Sequence, residues 1–204
     1  MTAEDGAAKD GLGRAIRLVA VLNLAYFGVE FAVALHIGSV SLLADSVDFL
    51  EDAAVNFLIF AALGWSARRR AQVGMALAGL LLAPALAFLW AVWRKYADPV
   101  PPEALGLTLT GAGALAVNLY CAFTLARFRH HAGSLTKAAF LSARNDALAN
   151  IAIIAAGAAT VFTRSPWPDL VVGLGIACMN IDAAKAVWTA ARGERKAVRA
   201  QPEP

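Results

Sequence analysis

The segment SLLADSVDFLEDAAVNFLIFAAL, residues 41–63, is apolar and long enough to cross a bilayer, yet it carries four acidic residues within eight positions: Asp45, Asp48, Glu51 and Asp52. Each aspartate at the centre of a bilayer is unfavourable by about 2.5–3.5 kcal/mol on insertion scales. A bound divalent cation would remove both this penalty and the repulsion between the acids, and protons could take its place when it leaves. The segment therefore predicts a cation site inside the membrane.

Most of these polar side chains form one stripe, because an α-helix turns by about 100° per residue. The stripe covers roughly 80° of the helix surface and contains Asp45, Asp48, Asp52 and Asn56. Glu51 lies to one side of it. Lipid cannot face such a stripe, so it must face other helices or water.

A second polar stripe occurs in a later apolar segment, residues 138–162. Its members are spaced by four, with one flanking residue: Ser142, Asp146 and Asn150, flanked by Asn145. If the two stripes face each other, carboxylate, amide and hydroxyl oxygens converge. This ligand set is harder than the histidine and cysteine that hold zinc most firmly, so Mn²⁺, Fe²⁺, Co²⁺ or weakly held Zn²⁺ all fit.

A purely structural role is the alternative, in which the acids form buried salt bridges with Arg144 and Lys185. On a helix, Arg144 points about 160° away from Asp146. Two cations also cannot neutralise all the acids, so the ion-pathway interpretation is favoured.

Three further polar residues occur in apolar segments. Asn23 and Glu30 share one face of the first segment and could line an access path or bond to a neighbouring helix. Asn118 is predicted to form an interhelical hydrogen bond.

The composition indicates that these segments belong to an integral membrane protein. The 204 residues are 59% hydrophobic and 16% charged, with a mean hydropathy of +0.60, whereas soluble domains have roughly 25% charged residues. We predict an all-α polytopic membrane protein, a six-helix bundle of residues 14–192 between a flexible tail (1–13) and a basic tail (193–204). The predicted spans are residues 16–36, 40–64, 73–93, 104–126, 138–162 and 169–190.

The distribution of Lys and Arg predicts the orientation, because cytoplasmic loops are enriched in these residues. The two tails, residues 68–70 and residues 127–137 carry most of them, whereas the opposite side has only Arg94, Lys95 and Arg164. Both termini are therefore expected in the cytoplasm, with the protein in the bacterial inner membrane. The net charge of +3 is explained by these basic residues, which act as topology signals. No nucleic-acid partner is expected.

The first two spans, NLAYFGVEFAVALHIGSVSLLADSVDFLED, resemble the cation diffusion facilitator family of divalent-metal/proton antiporters. KAAFLSARNDALANIAII and SPWPDLVVGLGIA are similar to the family's fifth helix and its link to the sixth. The resemblance implies a six-helix bundle, usually homodimeric, with a tetrahedral metal site between the second and fifth helices. It places Asp48, Asp52 and Asp146 on the family's metal-binding acids and implies metal export in exchange for protons.

Three departures from the family pattern stand out. Ser142 occupies the position of a common histidine, so Asn145, Asn150 or water would complete the site. Arg144 lies beside the motif where an apolar residue is usual, and the metal-sensing domain of longer members is absent from this sequence. These departures keep open a second hypothesis, a transport-inactive relative that serves as a membrane partner or assembly subunit. No nucleophile-and-base pair indicates an enzyme, and no prosthetic group is expected.

Overall fold

The computed structural model describes residues 3–62, 65–80, 82–126 and 134–179, and within these ranges it is helical, without strands. Side chains at 3–10, 62, 67–68, 70–71, 77–78, 82–83 and 134–144 lie outside the description. The helices are α1 (Ala3–Ile37), α2 (Val40–Ala62), α3 (Ala67–Leu80), α4 (Leu82–Ala97), α5 (Ala104–Ala126), α6 (Ser134–Thr163) and α7 (Trp167–Met179). The predicted all-α class is confirmed.

Among the described helices, three contain segments long and apolar enough to cross a membrane: Gly11–Ile37, Ala104–Ala126 and Asn145–Thr163. With 23 residues, α2 is about 35 Å long at 1.5 Å per residue, enough for a hydrocarbon core of about 30 Å. Its composition alone sets it apart from those three, because its four acids are unusual in a spanning helix.

The predicted spans fall on these helices. The fourth, 104–126, coincides with α5, and the first and fifth lie inside α1 and α6. The third, 73–93, covers parts of α3 and α4. The sixth begins inside α7 and continues beyond the described residues, which also exclude Lys185 and the basic tail.

Helix α1 begins at Ala3, so residues 3–13 continue the first helix along the chain. The predicted flexibility of this tail stays a prediction. Helix propagation adds one hydrogen bond per residue once a nucleus exists, and the apolar part of α1 supplies that nucleus.

The corner between α1 and α2 is compact and fixes where the acidic helix begins. Gly38 has φ 68°, a left-handed conformation that glycine adopts without a Cβ clash, and Ser39 N donates to Ala34 O at 3.0 Å. This is the Schellman ending of a helix. Ser39 then caps α2 by accepting from Leu42 N through Oγ at 3.1 Å, an interaction that contributes about 1 kcal/mol.

The bundle places α2 among several neighbours. The largest contacts join α1 to α2 and α5 to α6, and α2 also touches α3, α4, α5 and α6. The buried cluster at one end of the bundle brings together side chains from these helices and α7, including Leu43, Leu107, Ile153 and Leu170. Close packing is a main source of helix association in lipid. Contacts with five neighbouring helices therefore fix the position of α2.

Candidate functional site

The polar stripe of α2 faces the interior of the bundle, as predicted from its spacing. Asp45 is fully buried and Glu51 is 4% exposed, whereas Asp48 and Asp52 are half-buried. Asn56 is half-buried and donates its amide to the backbone oxygen of Asp52 at 2.8 Å, so its hydrogen bond stays within α2.

The second stripe, on α6, contributes two buried residues one helical turn apart. Asp146 is 7% exposed and Asn150 is fully buried. Asn145, which flanks this stripe, is exposed. The side chains of Ser142 and Arg144 lie outside the described part of the chain. Their predicted roles therefore stay predictions.

Two contacts bring the stripes of α2 and α6 together. Asn150 Nδ2 donates to Asp45 Oδ2 at 2.6 Å. The carboxyl groups of Asp48 and Asp146 approach within hydrogen-bonding range of each other, so a proton or a cation is needed between them. The faces that the spacing predicted to meet do meet.

Asn150 is itself held by α5. Asn118 Nδ2 donates to Asn150 Oδ1 at 3.1 Å, which is the interhelical hydrogen bond predicted for Asn118. The amide of Asn150 therefore bridges Asn118 and Asp45, with its oxygen and its nitrogen both engaged. In this arrangement it orients Asp45 directly.

A buried acid of α1 also reaches this region, and the sequence left its role open. Glu30 is fully buried, and its carboxyl group lies against that of Asp45. Both Glu30 oxygens and Asp45 Oδ1 are buried without a hydrogen-bond partner among the described residues. Glu30 stood out in the sequence because its ionisable side chain lies in the middle of an apolar span.

The other polar residue of α1 is engaged differently. Asn23 is fully buried, and its Oδ1 lies 3.7 Å from Cys121 Sγ on α5, which donates to it. This contact fits the interhelical role considered for Asn23.

Four of the acids lie in two pairs, Glu30 with Asp45 and Asp48 with Asp146. Within the part of the chain whose side chains are described, no group of three or more His, Cys, Asp or Glu residues is placed to hold a metal ion. A carboxyl pair can share a proton or contribute two ligand groups to a divalent cation.

The chemistry of this region agrees with the family to which the sequence points. Residues 16–188 match the cation efflux transmembrane domain. The chain belongs to the cation efflux family. Comparison with curated proteins finds no match. The predicted membership of the cation diffusion facilitators is confirmed.

Membership establishes the coarse function. This is an integral membrane domain of a cation efflux transporter, and the family moves divalent metal cations. Its members are transporters and not enzymes. The matched range includes α2 and residues 134–179, so both acid-bearing helices belong to the transport domain.

Proposed function

We propose that this protein exports a divalent transition metal from the cytoplasm in exchange for protons. The metal binds between α2 and α6, with Asp48, Asp52 and Asp146 as charged ligands and proton carriers. Asp45, Asn150, Asn145 or Ser142 completes the shell. The supporting observation is the meeting of the Asp48 and Asp146 carboxyl groups across two helices of a cation efflux domain.

Protons and metal compete for the same oxygens in this mechanism. Two carboxyl groups in contact repel each other when both are ionised, and burial strengthens the repulsion. One proton between Asp48 and Asp146 relieves it, and so does a divalent cation. Either species therefore keeps the two carboxylates from facing each other unneutralised during the cycle.

The metal is expected to be Mn²⁺, Fe²⁺, Co²⁺ or Zn²⁺, because all the proposed ligand atoms are oxygens. As in its relatives, we expect the protein to work as a homodimer in the bacterial inner membrane. The mass of the protein in lipid nanodiscs measures the oligomeric state.

Asp48→Asn and Asp146→Asn test the proposal in proteoliposomes. Each variant keeps the shape of the side chain and removes a charge that the metal needs. Metal-dependent proton flux is expected to fall about 100-fold or more, because loss of even an outer-shell partner of a metal ligand reduces affinity or activity by about 10–100-fold. A pH-sensitive dye inside the vesicles measures the flux.

Asp98→Asn is the matched control, because Asp98 is an exposed aspartate after α4, away from the acid pairs. It should transport like the wild type. Unchanged flux in both Asp48→Asn and Asp146→Asn would refute the assignment of these acids.

The alternative is a transport-inactive relative that serves as a membrane partner or assembly subunit, and it is motivated by Ser142 at the position of a common histidine and by Arg144 beside the motif. Calorimetric titration of the purified protein with Mn²⁺ and with Zn²⁺ distinguishes the two functions. Stoichiometric binding at neutral pH supports transport, and no binding of either metal supports a partner or assembly role.

A further inference from the structure

A single buried carboxylate on α7 holds the first turn of α2. Asp169 is fully buried. Its Oδ1 accepts hydrogen bonds from Ser39 Oγ at 2.7 Å, Ser41 Oγ at 2.7 Å and Ser41 N at 3.1 Å. Its Oδ2 accepts from Val40 N at 2.8 Å. The two helices are thereby joined by four hydrogen bonds to one side chain.

Two of the four bonds come from backbone N–H groups that a helix cannot satisfy by itself. The first N–H groups of any α-helix have no partner within the helix, and they form the positive end of its dipole. Ser39 satisfies Leu42 N locally. The amides of Val40 and Ser41 depend on Asp169, which lies 129 and 128 positions further along the chain.

A third helix compensates the charge of Asp169. Lys95, near the end of α4, is 7% exposed and places Nζ 3.9 Å from Asp169 Oδ2. The same Nζ donates to Val100 O at 2.8 Å. Removal of one partner of a buried charge pair leaves the other uncompensated, so the arrangement resists separation.

One helical turn beyond Asp169, the backbones of α7 and α2 touch. A Cβ added at Gly173 would lie 2.8 Å from Ser41 N and from the carbonyl carbon of Val40. Backbone atoms of a capped helix end cannot move aside easily. A Cβ at Gly175, on the same helix, would meet nothing within 4 Å.

We propose that Asp169 is a positioning residue that makes α7 and the start of α2 move as one body during transport. This α2–α7 joint consists of Ser39, Val40, Ser41, Asp169 and Gly173. Asp45 lies one turn beyond Ser41 on the same helix, so the joint sets the position of the acids. The inference rests on the proposed transport function and adds the element with which α2 must move.

Asp169→Asn tests the joint in the full-length protein reconstituted in liposomes. The amide retains one acceptor oxygen but loses the charge and the second acceptor. The initial transport rate is expected to fall about tenfold, the effect of losing one charge-assisted hydrogen bond. Metal affinity measured by calorimetry should stay within about twofold of the wild type, because Asp169 does not touch the acid pairs.

Gly173→Ala and Gly175→Ala form a matched pair that leaves every charge in place. Both gain the same helix propensity, but only Gly173→Ala pushes α7 away from α2. We expect slower transport with unchanged metal affinity for Gly173→Ala and wild-type behaviour for Gly175→Ala.

Wild-type transport rates in both Asp169→Asn and Gly173→Ala would overturn the joint and leave the proposed function intact. A parallel loss of metal affinity and rate in both variants would also overturn it. Asp169 and Gly173 would then stabilise the fold as a whole and would have no specific effect on the movement of α2. Absence of metal-dependent flux in the wild-type protein would overturn the proposed function and this inference together.

Discussion

At the scale of single residues, the buried amides near the acids have a defined task. A carboxylate can rotate about its own bonds, and its position decides whether it can share a ligand. Asn150 holds Asp45 at 2.6 Å and is itself held by Asn118 at 3.1 Å. The sequence predicted Asn150 as a possible ligand, and the contacts give it the further role of fixing Asp45.

Asn118→Ala should therefore destabilise the bundle and loosen Asp45. Interhelical hydrogen bonds in membrane proteins contribute about 0.6 kcal/mol on average and up to about 1.7 kcal/mol. We expect the free energy of unfolding to decrease by an amount within that range. Unfolding in mixed micelles with an increasing fraction of denaturing detergent measures this decrease. Leu119→Ala is the control, because Leu119 is the next residue and is 40% exposed. A larger loss for Leu119→Ala than for Asn118→Ala would contradict this role.

At the scale of helices, the sequence predicts which face of a helix turns inward. It does not predict which side chains on neighbouring helices come into contact. The four-residue spacing of Asp48 and Asp52, and of Asp146 and Asn150, predicted which side of α2 and of α6 turns inward. Spacing says nothing about how far neighbouring helices are rotated or shifted against each other. The pairing of Glu30 with Asp45 depends on that rotation, so the residues alone could not show it.

The same limit applies more strongly to Asp169. Its neighbours in sequence indicate only a proline-rich link before a helix, and its partners on α2 lie 128–130 positions away. Gly38 and Ser39, by contrast, are local signals, because a left-handed glycine and a capping serine define a helix–helix corner by themselves. The helix corner was therefore predictable from neighbouring residues. The contact between Asp169 and the start of α2 could be seen only in the folded structure.

Gly157→Ala tests the close approach of α5 and α6. A Cβ at this position would contact Thr108 Oγ1 and lie 3.3 Å from the backbone oxygen of Ala104. Thr108 Oγ1 already donates to Ala104 O at 2.8 Å, so it cannot turn away without losing that bond. Overpacking of this kind typically destabilises by about 1–3 kcal/mol, which the same unfolding assay detects.

Gly28→Ala is the control for this change, since a Cβ there meets nothing within 4 Å. It gains up to about 1 kcal/mol in helix propensity and should be neutral or stabilising. Equal stability of the Gly157 and Gly28 variants would show that α5 and α6 are not packed as closely as described.

At the scale of the whole molecule, the distribution of charge predicts the orientation of the protein in the membrane. The side opposite the termini has few basic residues, and one of them, Lys95, is buried beside Asp169. A lysine engaged inside the protein has a structural reason to be there, so it weakens the positive-inside pattern less than an exposed one would. Cytoplasmic termini are therefore the orientation that the charges favour.

Single cysteines in a background without Cys121 and Cys178 measure this orientation. Asp98 follows α4 and Ser66 precedes α3, and both side chains are exposed. In intact cells a membrane-impermeant maleimide should modify Asp98→Cys, whereas Ser66→Cys should react only after the membrane is opened. The reverse pattern would place the termini outside. The α2–α7 joint would then lie on the cytoplasmic side.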